Sequence, residues 1–281
     1  MASFECDQAE GLRRMLAGPK PRICTFLSAA SPGEKSAMLV NLSASLAQHG
    51  SHVVLLDACA SNGVGQRMGV QTRATLLDVA RQQRAFNQVV QTMPHGFRFA
   101  SLTCGSVHPF AQDADQLRRL TNTFNVLSSQ ADVLIVDAEL DAQDGFPVAA
   151  MAGGDIIVQV APGAASVKDA YALIKRLSTQ AGRRPFGVLV TGADEREAAR
   201  VYQNMAQAAS RYLALELYSI GFIPSDEHVM RAARTGRAVV DVFPLAGASV
   251  AFRRLAEQLS SRVVANVGMP GALAHRVEVG V

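Results

Sequence analysis

Cysteine is scarce in this 281-residue chain, and the four present, Cys6, Cys24, Cys59 and Cys104, lie too far apart for any C-x-x-C pair. The six histidines never form H-E-x-x-H or a Cys/His grouping, so zinc and iron–sulfur patterns are lacking and the cysteines read as reduced and mostly buried. His49 and His52 are close in sequence, but Gly50 between them breaks the helix that would put both on one face; they read as helix-end residues. Charge is also low. Asp, Glu, Lys and Arg make up 18% of the chain, against roughly 25% in an average domain, and no long block of one sign occurs, which excludes a disordered charged tail. The net charge of +3 and the pI near 8.8 come from scattered arginines. That distribution argues against nucleic acid as a partner. No run approaches the roughly 18 apolar residues needed to span a bilayer. Residues 1–10 are acidic and lack the apolar core of a secretory signal, so the chain reads as cytoplasmic.

What is present is an apolar, regularly alternating chain. With 49% hydrophobic residues it can bury a core without a disulfide or metal staple. Short apolar runs predict strands at 22–28, 53–57, 97–102, 133–137, 156–161, 186–191 and 217–220. Amphipathic spacing predicts helices at 36–48, 114–128, 166–180, 195–212 and 247–265; in the first, Met38, Leu39, Leu42 and Leu46 keep the three-four rhythm. Residues 53–57 and 133–137 are almost purely apolar and each ends in a carboxylate, so both faces of those strands should be covered. Strand and helix alternating in this way predict an α/β fold with a doubly wound, mostly parallel sheet. The expected organisation is an arm over 1–20, one domain over 21–267 and a loose tail over 268–281.

The first strand runs into Ser28-Ala29-Ala30-Ser31-Pro32-Gly33-Glu34-Lys35-Ser36. A phosphate loop needs glycines that turn backbone N–H groups inward, a lysine for the phosphates and a hydroxyl for magnesium. Lys35 and Ser36 meet the last two needs. Pro32 removes a donor, and Glu34 is expected to hold a carboxylate against an anionic ligand, a repulsion of about 4 kcal/mol at ~4 Å and an effective dielectric near 20. Taken alone, the loop reads equally as a nucleotide site or as an ordinary strand-to-helix turn.

Together these segments resemble the MinD/ParA family of deviant Walker ATPases, of the P-loop NTPase fold, over roughly residues 22–262. The family loop, Lys-Gly-Gly-x-Gly-Lys-Ser/Thr, falls on Ala30 to Ser36, so the signature first lysine is Ala30. The resemblance implies ATP and magnesium as cofactors, with Lys35, Ser36, Asp57 and Asp137 as cofactor-binding residues and Ser36 and Asp137 on the metal. Asp57 matches the first acid of the family's Asp-x-Asp, ahead of Asn62 and Gly63, but the second acid, which orients the attacking water, is Cys59. The glycine expected soon after Asp137 is missing, and Gly192 stands where an asparagine would read adenine. These changes imply weak or absent ATP binding and a weak or pseudo-ATPase, for which no catalytic residue is assigned. They argue against an ATP-driven homodimer. The scaffold segments match better: Ala161-Pro162-Gly163 with the helix after it, Gly221-Phe222-Ile223-Pro224-Ser225-Asp226, and Pro244, Phe252 and Leu255.

The arm opens Asp7-Gln8-Ala9-Glu10-Gly11-Leu12-Arg13, in which Ala9, Leu12 and Leu16 can share one helical face. Ahead of a MinD-like domain, Asp7, Gln8, Ala9, Leu12 and Arg13 resemble the activation motif of the FlhG (FleN) family. That resemblance implies that these five residues bind an FlhF-type GTPase and stimulate it, in control of flagellar number or placement. It also implies partners at the flagellar C-ring or among transcription regulators, and recruitment to the flagellar pole or inner membrane surface. The alternative is a generic MinD/ParA-like ATPase positioning DNA or other cargo; a small-molecule ligase or reductase lacks a substrate motif and paired cysteines here. Residues 272–281 carry only His275 and Arg276 as basic groups and no bulky aromatic, so membrane association should be weak or absent.

Overall fold

A computed structural model describes residues 21–104 and 113–265. The arm over 1–20 and the tail from 266 lie outside the described residues. The strands are β1 (Arg22–Ser28), β2 (Val53–Asp57), β3 (Gln91–Thr92), β4 (Arg98–Ser101), β5 (Val133–Asp137), β6 (Asp155–Val160), β7 (Phe186–Thr191) and β8 (Leu217–Ile223). They form one sheet in the order β3-β4-β2-β5-β1-β6-β7-β8. Every pairing is parallel except the short antiparallel pair of β3 with β4. The helices are α1 (Pro32–Gln48), α2 (Val64–Arg67), α3 (Leu76–Ala80), α4 (Ala114–Ser129), α5 (Ala164–Ala181), α6 (Glu195–Leu213), α7 (Glu227–Arg234), α8 (Val239–Val242) and α9 (Gly247–Ala265).

Two apolar layers explain why the central strands are hydrophobic throughout. Leu134 and Val136 of β5, with Val54 and Leu56 of β2, join Phe124 of α4, Ile174 of α5 and Met205 of α6 in one core. Val133, Ile135, Val53 and Leu55 point the other way, into a core with Leu39 and Leu42 of α1 and Phe252 and Leu255 of α9. The period of two along each strand thus sorts its residues between the faces, and each fully buried leucine or phenylalanine contributes about 1.5–3 kcal/mol.

Polar clamps fix the edges of this sandwich. Arg22 donates to Asp155 Oδ2 from Nε at 2.8 Å and Nη2 at 2.6 Å, and from Nη1 to the Leu259 carbonyl of α9 at 2.6 Å. Asn41 of α1 accepts the Val239 N–H at 2.6 Å, which holds α8 against α1. The predicted strand at 217–220 continues to Ile223 across a register shift between Val188 and Leu189. Gly221 takes φ +129 there, with Leu255 Cδ2 only 3.1 Å from where a Cβ would sit. β3 and the short helices α2, α3, α7 and α8 were not anticipated, because segments of one or two turns carry too little periodicity.

Candidate functional site

The order β2-β5-β1 brings the ends of three strands together, and α1 leaves directly from β1. Asp57 and Asp137 are paired across neighbouring parallel strands, so two carboxylates meet at the carboxyl edge of the sheet. Unopposed, they would repel at close range. Lys35, from the first turn of α1, supplies the counter-charge: its Nζ lies 2.5 Å from Asp137 Oδ1 and donates to the Ala138 carbonyl at 2.6 Å. Both partners are buried.

The turn that carries Lys35 corrects the expected helix start. α1 begins at Pro32 rather than residue 36, because Ser31 caps it. The Ser31 hydroxyl accepts the Glu34 N–H at 3.3 Å, while Glu34 Oε2 accepts the Ser31 N–H at 2.9 Å, a reciprocal capping box with proline at the first helical position. The Glu34 carboxylate is thus turned back on its own helix start. Other donors of the turn are also engaged. The Ala29 N–H bonds the Gln159 carbonyl, the Ala30 N–H bonds Ser28 Oγ and the Lys35 N–H bonds the Ser31 carbonyl. Ser36 donates its hydroxyl to the Pro32 carbonyl at 2.9 Å.

Residues 59–65 fold over the paired carboxylates. Asp57 accepts N–H bonds from Cys59 at 3.1 Å and Gly65 at 2.8 Å, and Asp137 Oδ2 accepts that of Val64 at 2.8 Å. The loop must be glycine at two places: a Cβ on Gly63 would stand 2.1 Å from Asp57 Oδ1, and one on Gly65 2.6 Å from Phe99 Cζ. Glu139 closes the loop by accepting the Ala60 N–H at 2.6 Å. Burial, and next the charge of Asp137, push the Asp57 carboxyl up to about 6 despite its two N–H bonds.

Cys59 donates its thiol toward the Asp137 carbonyl at 3.6 Å and lies 4.0 Å from Lys35 Nζ. Burial raises its pKa far above the ordinary thiol value, so it is a neutral thiol. Asp57, Cys59 and Asp137 place ligand atoms within 4.8 Å of one another, a grouping that sequence spacing did not suggest. Lys35 already serves this cluster as its cation.

The remaining positions are largely architectural. Gly192 takes φ +82 and donates its N–H to the Ile223 carbonyl. Asp226 caps two helices, accepting the His228 N–H at 3.0 Å and the Ala248 N–H at 3.0 Å. His49 caps the end of α1, and His52 donates its N–H to Asp132. Cys24 is buried, with its thiol pushed up to about 12, but Cys59 is half-buried and Cys104 exposed, so the expectation of mostly buried cysteines fails at those two. Cys6, the five arm residues Asp7, Gln8, Ala9, Leu12 and Arg13, and the tail positions His275 and Arg276 lie outside the described residues. Among the described residues, no helix is long and apolar enough to cross a membrane.

As they stand, the residues that would hold a magnesium triphosphate are engaged with one another. The Glu34 N–H closes the helix cap, the Ala30 N–H bonds Ser28 Oγ, the lysine neutralises Asp137, and the Ser36 hydroxyl bonds its own helix.

No family model matches the sequence. The antiactivator FleN of Pseudomonas aeruginosa is 31% identical over 229 residues, 81% of this chain and 82% of that protein. An uncharacterized ATP-binding protein of Methanocaldococcus jannaschii is 26% identical over 235 residues, 80% of this chain and 82% of its own length. Among solved structures, the septum site-determining protein MinD of Pyrococcus horikoshii, complexed with Mg-ADP, superposes with a TM-score of 0.64 over 89% of this chain and 100% of that one, at 20% identity. The parallel sheet, the lysine and paired aspartates at its edge and the FleN relationship lead to one conclusion: the chain is a FleN-like member of the MinD/ParA family.

Proposed function

We propose that this protein regulates flagellar number or placement through its N-terminal arm, in which Asp7, Gln8, Ala9, Leu12 and Arg13 act on an FlhF-type GTPase. The domain at 21–267 serves as a docking platform whose ATP hydrolysis is weak or lost. The observation that carries this reading is the capping box of Ser31 and Glu34, with Lys35 held on Asp137. In that state the N–H groups of Ala30, Ser31 and Glu34 are bonded within the turn and the ammonium of Lys35 is held by Asp137, while Cys59 offers no carboxylate to orient water.

In the arm, the chemistry is intact. The amide of Gln8 both donates and accepts hydrogen bonds, so it can orient an attacking water beside a γ-phosphate without carrying charge. Leu12 anchors the segment on the partner, and the planar fork of Arg13 pairs with an acid or phosphate there. The name of the Pseudomonas relative, an antiactivator, supports a transcription regulator as a further partner, beside the C-ring.

A nucleotide-gated ATPase that positions DNA or other cargo is the second reading. Lys35, Ser36, Asp57 and Asp137 stand at the strand ends that it would use, but ATP would have to unwind the cap and draw Lys35 from Asp137. Steady ATP turnover separates the two. We expect no turnover above background, unchanged by Lys35→Ala; turnover that Lys35→Ala abolishes would establish the second reading.

A further inference from the structure

A cavity of about 410 Å³ lies beside α1, and neither Asp57 nor Asp137 lines it. Its apolar walls are Val40 of α1, Met68 after α2, Met93 before β4 and Met230 of α7. Three thioethers in one small space make an adaptable, polarisable lining that accepts flat or branched apolar groups. The volume falls within the roughly 300–1,000 Å³ of small-molecule sites.

The arginine and carboxylate side chains in the lining of this cavity are of one sign, all cationic. Arg67 and Arg237 stand at its rim, and neither guanidinium has a hydrogen-bond or ion-pair partner among the described residues. Arg67 Nη1 runs alongside the first turn of α1, 3.6 Å from where a Cβ on Gly33 would stand. No carboxylate lines the space. His95, also in the lining, is already 3.3 Å from Asp241, a residue outside it. An apolar floor under two unpaired guanidiniums complements a ligand that is apolar at one end and anionic at the other.

We propose that this cavity binds a small amphipathic anion, an aryl or alkyl group bearing one carboxylate, sulfonate or phosphate, with its body against Met68, Met93 and Met230 and its head between Arg67 and Arg237. The site is separate from the paired carboxylates and does not depend on the arm or on nucleotide. Gly33 and Ser36 also border it, so an occupant would touch the capped turn that carries Lys35.

Anilinonaphthalene sulfonate, an aromatic sulfonate whose emission rises in apolar surroundings, is a suitable probe for titration of the full-length protein. The expected result is saturable one-to-one binding, weakened about tenfold or more in an Arg67→Ala/Arg237→Ala variant, since hydrogen bonds to a charged group contribute roughly 1.5–3 kcal/mol. Uncharged phenylnaphthylamine should bind the native protein more weakly than the sulfonate does, and lose nothing in that variant. Met230 is 62% exposed, so Met230→Glu leaves the fold undisturbed while adding a like charge at the mouth; it should weaken the sulfonate similarly. Non-saturable binding, or sulfonate affinity unchanged in both variants, would overturn the assignment.

Discussion

Asp57 is a buried carboxylate set beside a second one, Asp137. Its carboxyl is raised to about 6 by burial and by Asp137, while in the unfolded chain it returns to the ordinary carboxylate range. Between pH 4 and 6 the folded protein therefore keeps a proton that the unfolded chain has already lost. Stability should fall as pH rises through that window, by about 3 kcal/mol at most, and show no further loss from this group above it. Urea melts of native and Asp57→Asn protein across pH 4–7 isolate the effect: the native protein should lose stability relative to the variant, and parallel curves would contradict it. The identity of Asp57 and Asp137 as acids at strand ends was legible, because apolar runs that end in a carboxylate stand out. Their shared lid was not: Gly65 and Val64 bond to carboxylates whose positions depend on a register between strands some eighty residues apart, as the Asp57 and Asp137 pairing shows.

Among the elements, α1 teaches the most. Its buried face of Met38, Leu39, Leu42 and Leu46 can be read from spacing alone, but the apolar rhythm begins only at Met38 and does not mark the start at Pro32. The signal was present all the same, since Ser31-Pro32-Gly33-Glu34 has the S-x-x-E form of a capping box. The Ser31→Ala variant should lose about 1 kcal/mol of stability, readable as a lower urea midpoint at unchanged slope. An unchanged midpoint would mean that the cap does not form in solution. β2, β5 and β7 match the ranges read from their apolar runs, because strands covered on both faces must be apolar throughout. Helices of four or five residues such as α2, α3 and α8 are held by tertiary contacts, including the Asn41 bond to Val239, which no local pattern announces.

Taken as one body, the protein keeps a MinD-like sheet while the turn that would hold nucleotide is closed as a helix cap. Ala30 offers no cation that could reach a second subunit, and the backbone donors beside it are already bonded. Sedimentation should therefore give the same species with and without ATP and magnesium; a shift from monomer to dimer on adding nucleotide would show that the cap opens for the ligand. The activity proposed here rests on the arm instead, and it is tested most directly by GTP turnover of an FlhF-type GTPase in the presence of this protein. Full-length protein should accelerate turnover, and a variant with Gln8, Leu12 and Arg13 all replaced by alanine should lose that acceleration while its melting curve is unchanged. Equal acceleration by both proteins would contradict the arm's role as the activating element.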